Sequence, residues 1–215
     1  MPNGCSTDII IQSDDTKKIE ELYNLIGKWD NDSIKKSDFG DSWLGNIVGS
    51  SKIAEYKDGY FYDNKGNTVR CRGSLTSVEC VDNCIYIYTE TAWCPMLKMW
   101  QMICDKYLSS DYTIWYHAVE PGCCVYDTND PDYLSKYIID AFPIGDEGFS
   151  DEEYQKLYDA YVADADEQTV ISYLQDLLHV SENDLQKLLI LLEKSKFADC
   201  VCINKWNYCD VSECD

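Results

Sequence analysis

From Cys5 to Val119 the apolar residues switch between a two-residue and a three-to-four-residue repeat, and the order of the switches leaves few folds open. Ile9, Ile10 and Ile11 form a β-branched run suited to a central strand. Ser13, Asp14 and Asp15 then offer N-cap oxygens. Ile19, Leu22, Tyr23 and Ile26 follow at the spacing of one helix face. Gly73–Glu79 and Cys84–Thr91 alternate as strands, joined by a short turn at Val81-Asp82-Asn83. Cys94-Pro95 opens a helix whose inner face carries Met96, Trp100, Ile103 and Tyr107. Thr113–Val119 reads as a strand, closed by Pro121-Gly122. Between about residues 30 and 72 the pattern is irregular. Two turn signals, Lys57-Asp58-Gly59-Tyr60 and Asn64-Lys65-Gly66-Asn67, predict an excursion with one or two short strands, anchored by Trp43 and the Tyr56–Tyr62 cluster.

Strand, helix, two strands, helix, strand is the order of a ferredoxin-like β-α-β-β-α-β domain, an antiparallel sheet with both helices on one face. We expect this domain over residues 1–128, with an acidic, mainly helical appendage over 129–215. A short strand at Cys124–Asp127 and a helix-like Tyr133–Phe142 lead into the second region. Ser150 to Glu153 is a capping box, with Phe149 and Tyr154 as its hydrophobic staple. Helix faces follow at Tyr154/Leu157/Tyr158/Tyr161, Val170/Leu174/Leu177/Leu178 and Leu185/Leu188/Leu189/Leu192, and a closing strand is expected within 198–206.

Charge narrows the partners. The chain carries 39 acids against 18 bases, a net charge of −21. A field of that sign repels phosphate backbones and anionic membrane surfaces, so direct nucleic-acid binding and membrane association are not expected. A basic partner protein is favoured by the same field. Residues 144–215 hold 17 of the acids and five bases, so the smaller region has the denser charge. At 45% hydrophobic residues the chain can fill a core, which argues against disorder despite the charge.

The opening MPNGCSTD has neither a basic nor an apolar signal region, and no run reaches the roughly 18 apolar residues of a membrane span. A cytoplasmic setting follows, in which most of the 12 cysteines serve as small buried hydrophobes. Cys80 and Cys84 flank a turn, and Cys123-Cys124, Cys200/Cys202 and Cys209/Cys214 are other close pairs. None makes a Cys-x-x-Cys with a second pair at zinc spacing, so no metal site is expected. Phosphate-cradling glycine loops, the serine-hydrolase elbow and His-Glu-x-x-His are also missing, and no cofactor is implied.

Met1-Pro2-Asn3 with Cys5, the Thr89-Glu90-Thr91-Ala92-Trp93 stretch before Pro95, and Tyr116 followed by Glu120-Pro121-Gly122 occur in that order. Over residues 1–128 the chain resembles the YubB-type ferredoxin-like family of phages, conjugative plasmids and gut-bacterial mobile elements. It departs from the pattern at Gly4, where the family has a bulky aromatic. The resemblance implies the fold and a mobile-element origin, and no reaction.

Two surfaces stand out as candidate sites. If Ile85 and Ile87 face the helices, then Tyr86, Tyr88, Glu90, Trp115 and His117 share the open face of the sheet. His117 could act as a base there, though Glu120, three residues on, belongs to the opposite face. The second is the acidic set Asp151, Glu152, Asp159, Asp164, Asp166 and Glu167. The expectation is a non-enzymatic interaction protein that uses this acidic surface to bind a host or element-encoded protein. The alternative is a small-molecule or nucleotide-handling enzyme on the open face around His117. His179, at a helix end, is read as structural.

Overall fold

The computed structural model describes residues 4–31, 42–144, 148–158 and 160–213. Its chain divides into two compact units, Met1–Asp130 with Tyr208–Asp215, and Pro131–Asn207.

In the first unit, β1 (Gly4–Gln12) leads into α1 (Thr16–Asn31), where the Ser13 hydroxyl accepts the Asp15 amide and the Asp15 carboxylate accepts that of Lys18. After α2 (Leu44–Ser51), three short strands, β2 (Glu55–Lys57), β3 (Tyr60–Tyr62) and β4 (Thr68–Val69), form a small antiparallel meander. β5 (Gly73–Val81) and β6 (Cys84–Ala92) make a hairpin, α3 (Leu97–Tyr107) follows, and β7 (Thr113–Glu120) and β8 (Val125–Thr128) complete the main strands. With β12 (Asn207–Tyr208) the sheet order is β12-β8-β7-β1-β6-β5.

The alternation within the strands selects the core. Cys5, Thr7, Ile9 and Ile11 of β1 are buried while their neighbours are not. Ile9, Ile11, Ile85, Ile87, Ile114 and Tyr116 form one cluster with Ile19, Leu22 and Ile26 of α1, Leu44, Ile47 and Val48 of α2, and Trp100 and Ile103 of α3. Each fully buried large side chain of this kind contributes about 1.5–3 kcal/mol of transfer free energy. The end of α2 is tied to α3 by polar contacts: Lys106 Nζ donates to the Ser51 carbonyl at 2.7 Å and the Tyr107 hydroxyl donates to it at 3.1 Å. α3 begins after Met96, so Pro95 precedes the helix instead of occupying its first turn.

The second unit has its own core. β9 (Tyr137–Ala141) is the centre of a three-stranded antiparallel sheet, flanked by β10 (Tyr161–Ala165) and β11 (Val201–Lys205). Helices α4 (Asp151–Tyr158), α5 (Glu167–Leu178) and α6 (Leu185–Glu193) supply Leu157, Val170, Leu174, Leu177, Leu188 and Leu192 to it. The capping box forms: the Glu153 amide donates to Ser150 Oγ at 3.3 Å, and the Ser150 amide to the Glu153 carboxylate at 2.8 Å. Phe149 stacks on Phe197 with 5.7 Å between centroids, and Tyr154 stacks on Tyr158.

These observations correct the fold expected from sequence. The molecule is not a simple ferredoxin-like sheet of four strands carrying a helical appendage. The principal sheet has six strands, a third helix and a separate meander lie within residues 44–69, and residues after 130 build a mixed unit with a sheet of its own. Tyr133–Phe142, read as helix-like, contains β9. A short apolar run buried on both faces has no period that separates strand from helix, and Tyr137, Ile138 and Ile139 are all buried.

Candidate functional site

The open face of the large sheet brings the expected residues into rows. Asp8 of β1 is registered with Tyr88 of β6 on one side and His117 of β7 on the other; Ile10 is likewise between Tyr86 and Trp115, and Ser6 is opposite Glu90. Tyr86 and Glu90 are exposed, and Tyr88, Trp115 and His117 are half-buried. His117 also lies 3.8 Å from the Asp130 carboxylate, with 11% of its side chain exposed. Asp130 is held by its predecessors. Thr128 donates to the Tyr116 carbonyl at 2.7 Å and accepts the Asp130 amide, and Asn129 bonds both the Tyr116 amide and the Ile114 carbonyl. Burial pushes the His117 imidazole below its ordinary pKa, against the pull of Asp8 and Asp130, and burial raises the Asp8 carboxyl against the pull of His117. The row has acid–base character. Glu120 takes no part, since its buried carboxylate accepts the Cys123 amide at the following turn.

The acidic set is dispersed in its roles. Asp166 is the N-cap of α5 and accepts the Thr169 amide and hydroxyl, both at 2.7 Å, which holds its carboxyl below the usual range. Glu152 pairs with Lys156 at 3.1 Å, and Lys156 also reaches Asp176 at 2.9 Å. Glu167 accepts a long hydrogen bond from Tyr137. Asp151 and Asp164 are exposed, and Asp159 lies outside the described residues. His179 caps α5 in the left-handed region, with φ 54°.

A third site was not anticipated. A cleft of about 800 Å³ opens in the first unit between the meander, the segment leading into β5, and the turn after β6. Trp43, Tyr56, Tyr60, Phe61 and Trp93 provide its aromatic surface. Phe61 is the hub, with ring centroids 6.0 Å from Trp43 and 5.1 Å from Tyr56. The hairpin carrying Tyr56 and Tyr60 turns at Asp58-Gly59, where φ is 53° and 89°, the left-handed pair that Asp-Gly adopts readily. Asp63 fixes the next turn by accepting the Lys65 and Asn67 amides, both at 2.8 Å.

Arg70 and Arg72, the only arginines in the sequence, both line this cleft. They are exposed on either side of buried Cys71. Neither guanidinium is ion-paired with a carboxylate among the described residues. Among the described residues no Asp or Glu lines the cleft, in a chain with 39 of them. Arg72 lies over the Trp93 indole, 4.8 Å from the ring centroid. Trp93 is 49% exposed and has φ 70°, an outlying backbone conformation for so bulky a residue. The turn that carries it is pinned by Thr91, whose hydroxyl is 2.7 Å from the Cys94 carbonyl. A legible signal existed in the sequence: two arginines one residue apart, amid aromatics, in a chain with no others.

Cys5, Cys71, Cys80, Cys84, Cys94, Cys104, Cys124 and Cys200 are free thiols, and Cys209 is disulfide-bonded. Among the described residues no three His, Cys, Asp or Glu side chains converge as a metal site, and no helix is long and apolar enough to cross a membrane. No family model matches the chain, and no curated protein or solved structure matches it either.

Proposed function

We propose that the protein is a non-enzymatic binding module whose recognition site is the aromatic cleft of the first unit, and that its ligand is anionic. The carrying observation is the charge contrast: a lining that bears Arg70 and Arg72 and, among the described residues, no acid, in a chain of net charge −21. Planar guanidinium forks beside exposed aromatic faces suit carboxylate, phosphate or sulfonate groups attached to a flat ring. Binding is favoured over catalysis because, among the described residues, the lining has no His, Lys, Asp or Glu to move a proton. Cys71, which also lines it, is pushed up to about 12 by burial and is a poor nucleophile.

The mobile-element origin and a cytoplasmic setting belong to the same proposal. The free thiols support a reducing compartment, with Cys209 the exception. A basic protein partner on the acidic residues of the second unit is a second reading, resting on exposed Asp151 and Asp164.

The test uses anilinonaphthalene sulfonate, an aromatic anion whose fluorescence rises on binding. One saturable site is expected. The Arg70→Gln/Arg72→Gln double variant, with unchanged circular dichroism, should weaken it about tenfold, equivalent to about 1.4 kcal/mol. Dye binding that ignores both arginines counts against the cleft.

A further inference from the structure

Resting on that reading, we infer that the natural ligand of the cleft is a free nucleotide, with its base on the aromatic surface and its phosphate on Arg70 and Arg72. Three observations lead there. The cleft, at about 800 Å³, is in the range of small-molecule sites and exceeds what a bare anion needs. Its polar and apolar parts are adjacent: Arg72 stacks on Trp93, so a ring placed against the indole brings its substituents to the guanidinium. Tyr56 and Tyr60 stand 55% and 62% exposed on the hairpin lip. Exposed aromatic faces on a rigid turn are a poor surface for a chain in water and a good one for a nucleobase, which stacks through its π-face whatever its identity.

Charge then separates a free nucleotide from a nucleic-acid strand. A single phosphate group meets two guanidiniums at short range, where the pairing is strong. The further phosphates of a strand would extend beyond the cleft into the field of a chain whose net charge is −21. They would gain no counterion release and would be repelled. The backbone of Trp93 supports the same site. A non-glycine residue held at φ 70° persists only where its surroundings impose it, and here the imposed conformation presents an indole to the cleft.

The experiment is a calorimetric titration of the full chain with adenosine and guanosine 5′-monophosphates. Inorganic phosphate, adenosine and a short single-stranded oligonucleotide serve as separate arms. Nucleotide binding at one site is expected, displacing the naphthalene sulfonate dye. Phosphate, adenosine and the oligonucleotide should each bind at least about tenfold more weakly. Arg72→Gln and Trp93→Ala should each weaken the nucleotide about tenfold, with Arg72→Lys intermediate because it keeps the charge and loses the planar fork. If the dye binds through the arginines and neither nucleotide displaces it, the nucleotide assignment falls and the anion cleft stands. Phosphate alone binding as tightly as the nucleotides overturns the stacking half of the proposal. An oligonucleotide binding more tightly than either overturns the free-nucleotide assignment. If the dye also ignores the arginines, both readings fall together.

Discussion

The indole of Trp43 lies against the backbone of Gly45, where an added Cβ would come well inside 3.0 Å of its ring atoms. Trp43 is also the residue before α2 and an aromatic neighbour of Phe61, so the first turn of that helix and one wall of the cleft share a single close contact. Gly45→Ala should therefore push the indole aside. The expected result is destabilisation of about 1–3 kcal/mol, the usual cost of overpacking, together with weaker dye binding. Urea denaturation and dye titration on the same variant check it; unchanged values in both would show that the ring is not held where we place it.

Trp93 makes an opposite prediction. Replacing a buried Trp by a small residue ordinarily costs about 3–5 kcal/mol. At φ 70° glycine has no steric penalty, and the ring is half exposed. Trp93→Gly should leave stability within about 1 kcal/mol of the parent while nucleotide binding weakens about tenfold. A drop of several kcal/mol would mean that the indole is a core residue and not part of a recognition surface.

His117 sets a pH dependence. Its folded pKa is depressed below 6.5 by burial, so above that value the neutral ring adds nothing unfavourable. As pH falls below it, the unfolded chain takes up the proton first and stability declines until the folded pKa is passed. Asp8 runs the other way. Its raised pKa means that the native state favours the protonated carboxyl, a contribution lost as pH rises above the ordinary 3.8. The chain has two histidines, so proton NMR should resolve the ring of His117 readily. Its midpoint should lie below 6.5, and Asp8→Asn should lower it further by removing the facing negative charge. A midpoint that rises in that variant would contradict the pairing across β1 and β7.

Asp166 tests the second unit. Its carboxylate caps α5 and titrates below the usual 3.8 because Thr169 donates to it twice. The stabilisation is present above that value and lost as pH falls through the lowered pKa. Asp166→Ala should be destabilised relative to the parent at neutral pH, and the gap should close as the solution is acidified. Asp166→Asn should recover most of it, since an amide oxygen also caps. A gap independent of pH would assign the effect to something other than the charged cap.

What could be read from the chain alone follows a physical divide. Ile85 and Ile87 against Tyr86 and Tyr88 announce their faces because a two-residue repeat over nine residues leaves no second register, and the rows through Asp8 and Ile10 follow from it. Glu55–Lys57, Tyr60–Tyr62 and Thr68–Val69 are too short to show any period, so the meander was visible only through its turn residues. β9 is apolar on both faces and carried no directional signal. Asp130 reaches His117 through β8, a contact no local spacing reveals. The pair Arg70 and Arg72 takes its meaning from the described residues folded around it, which carry no acid at the cleft, and no local spacing reveals that.

The first unit is made of two pieces of chain, with Pro131–Asn207 between them. A ribosome therefore delivers the whole of the second unit before it delivers Cys209, whose amide donates to Thr128 and whose carbonyl accepts the Tyr116 hydroxyl. Until then, Tyr116 and the end of β8 must wait with these partners unmade. The insertion sets a minimum delay on the assembly of the sheet, fixed by the time of synthesis and not by any barrier within the sheet itself.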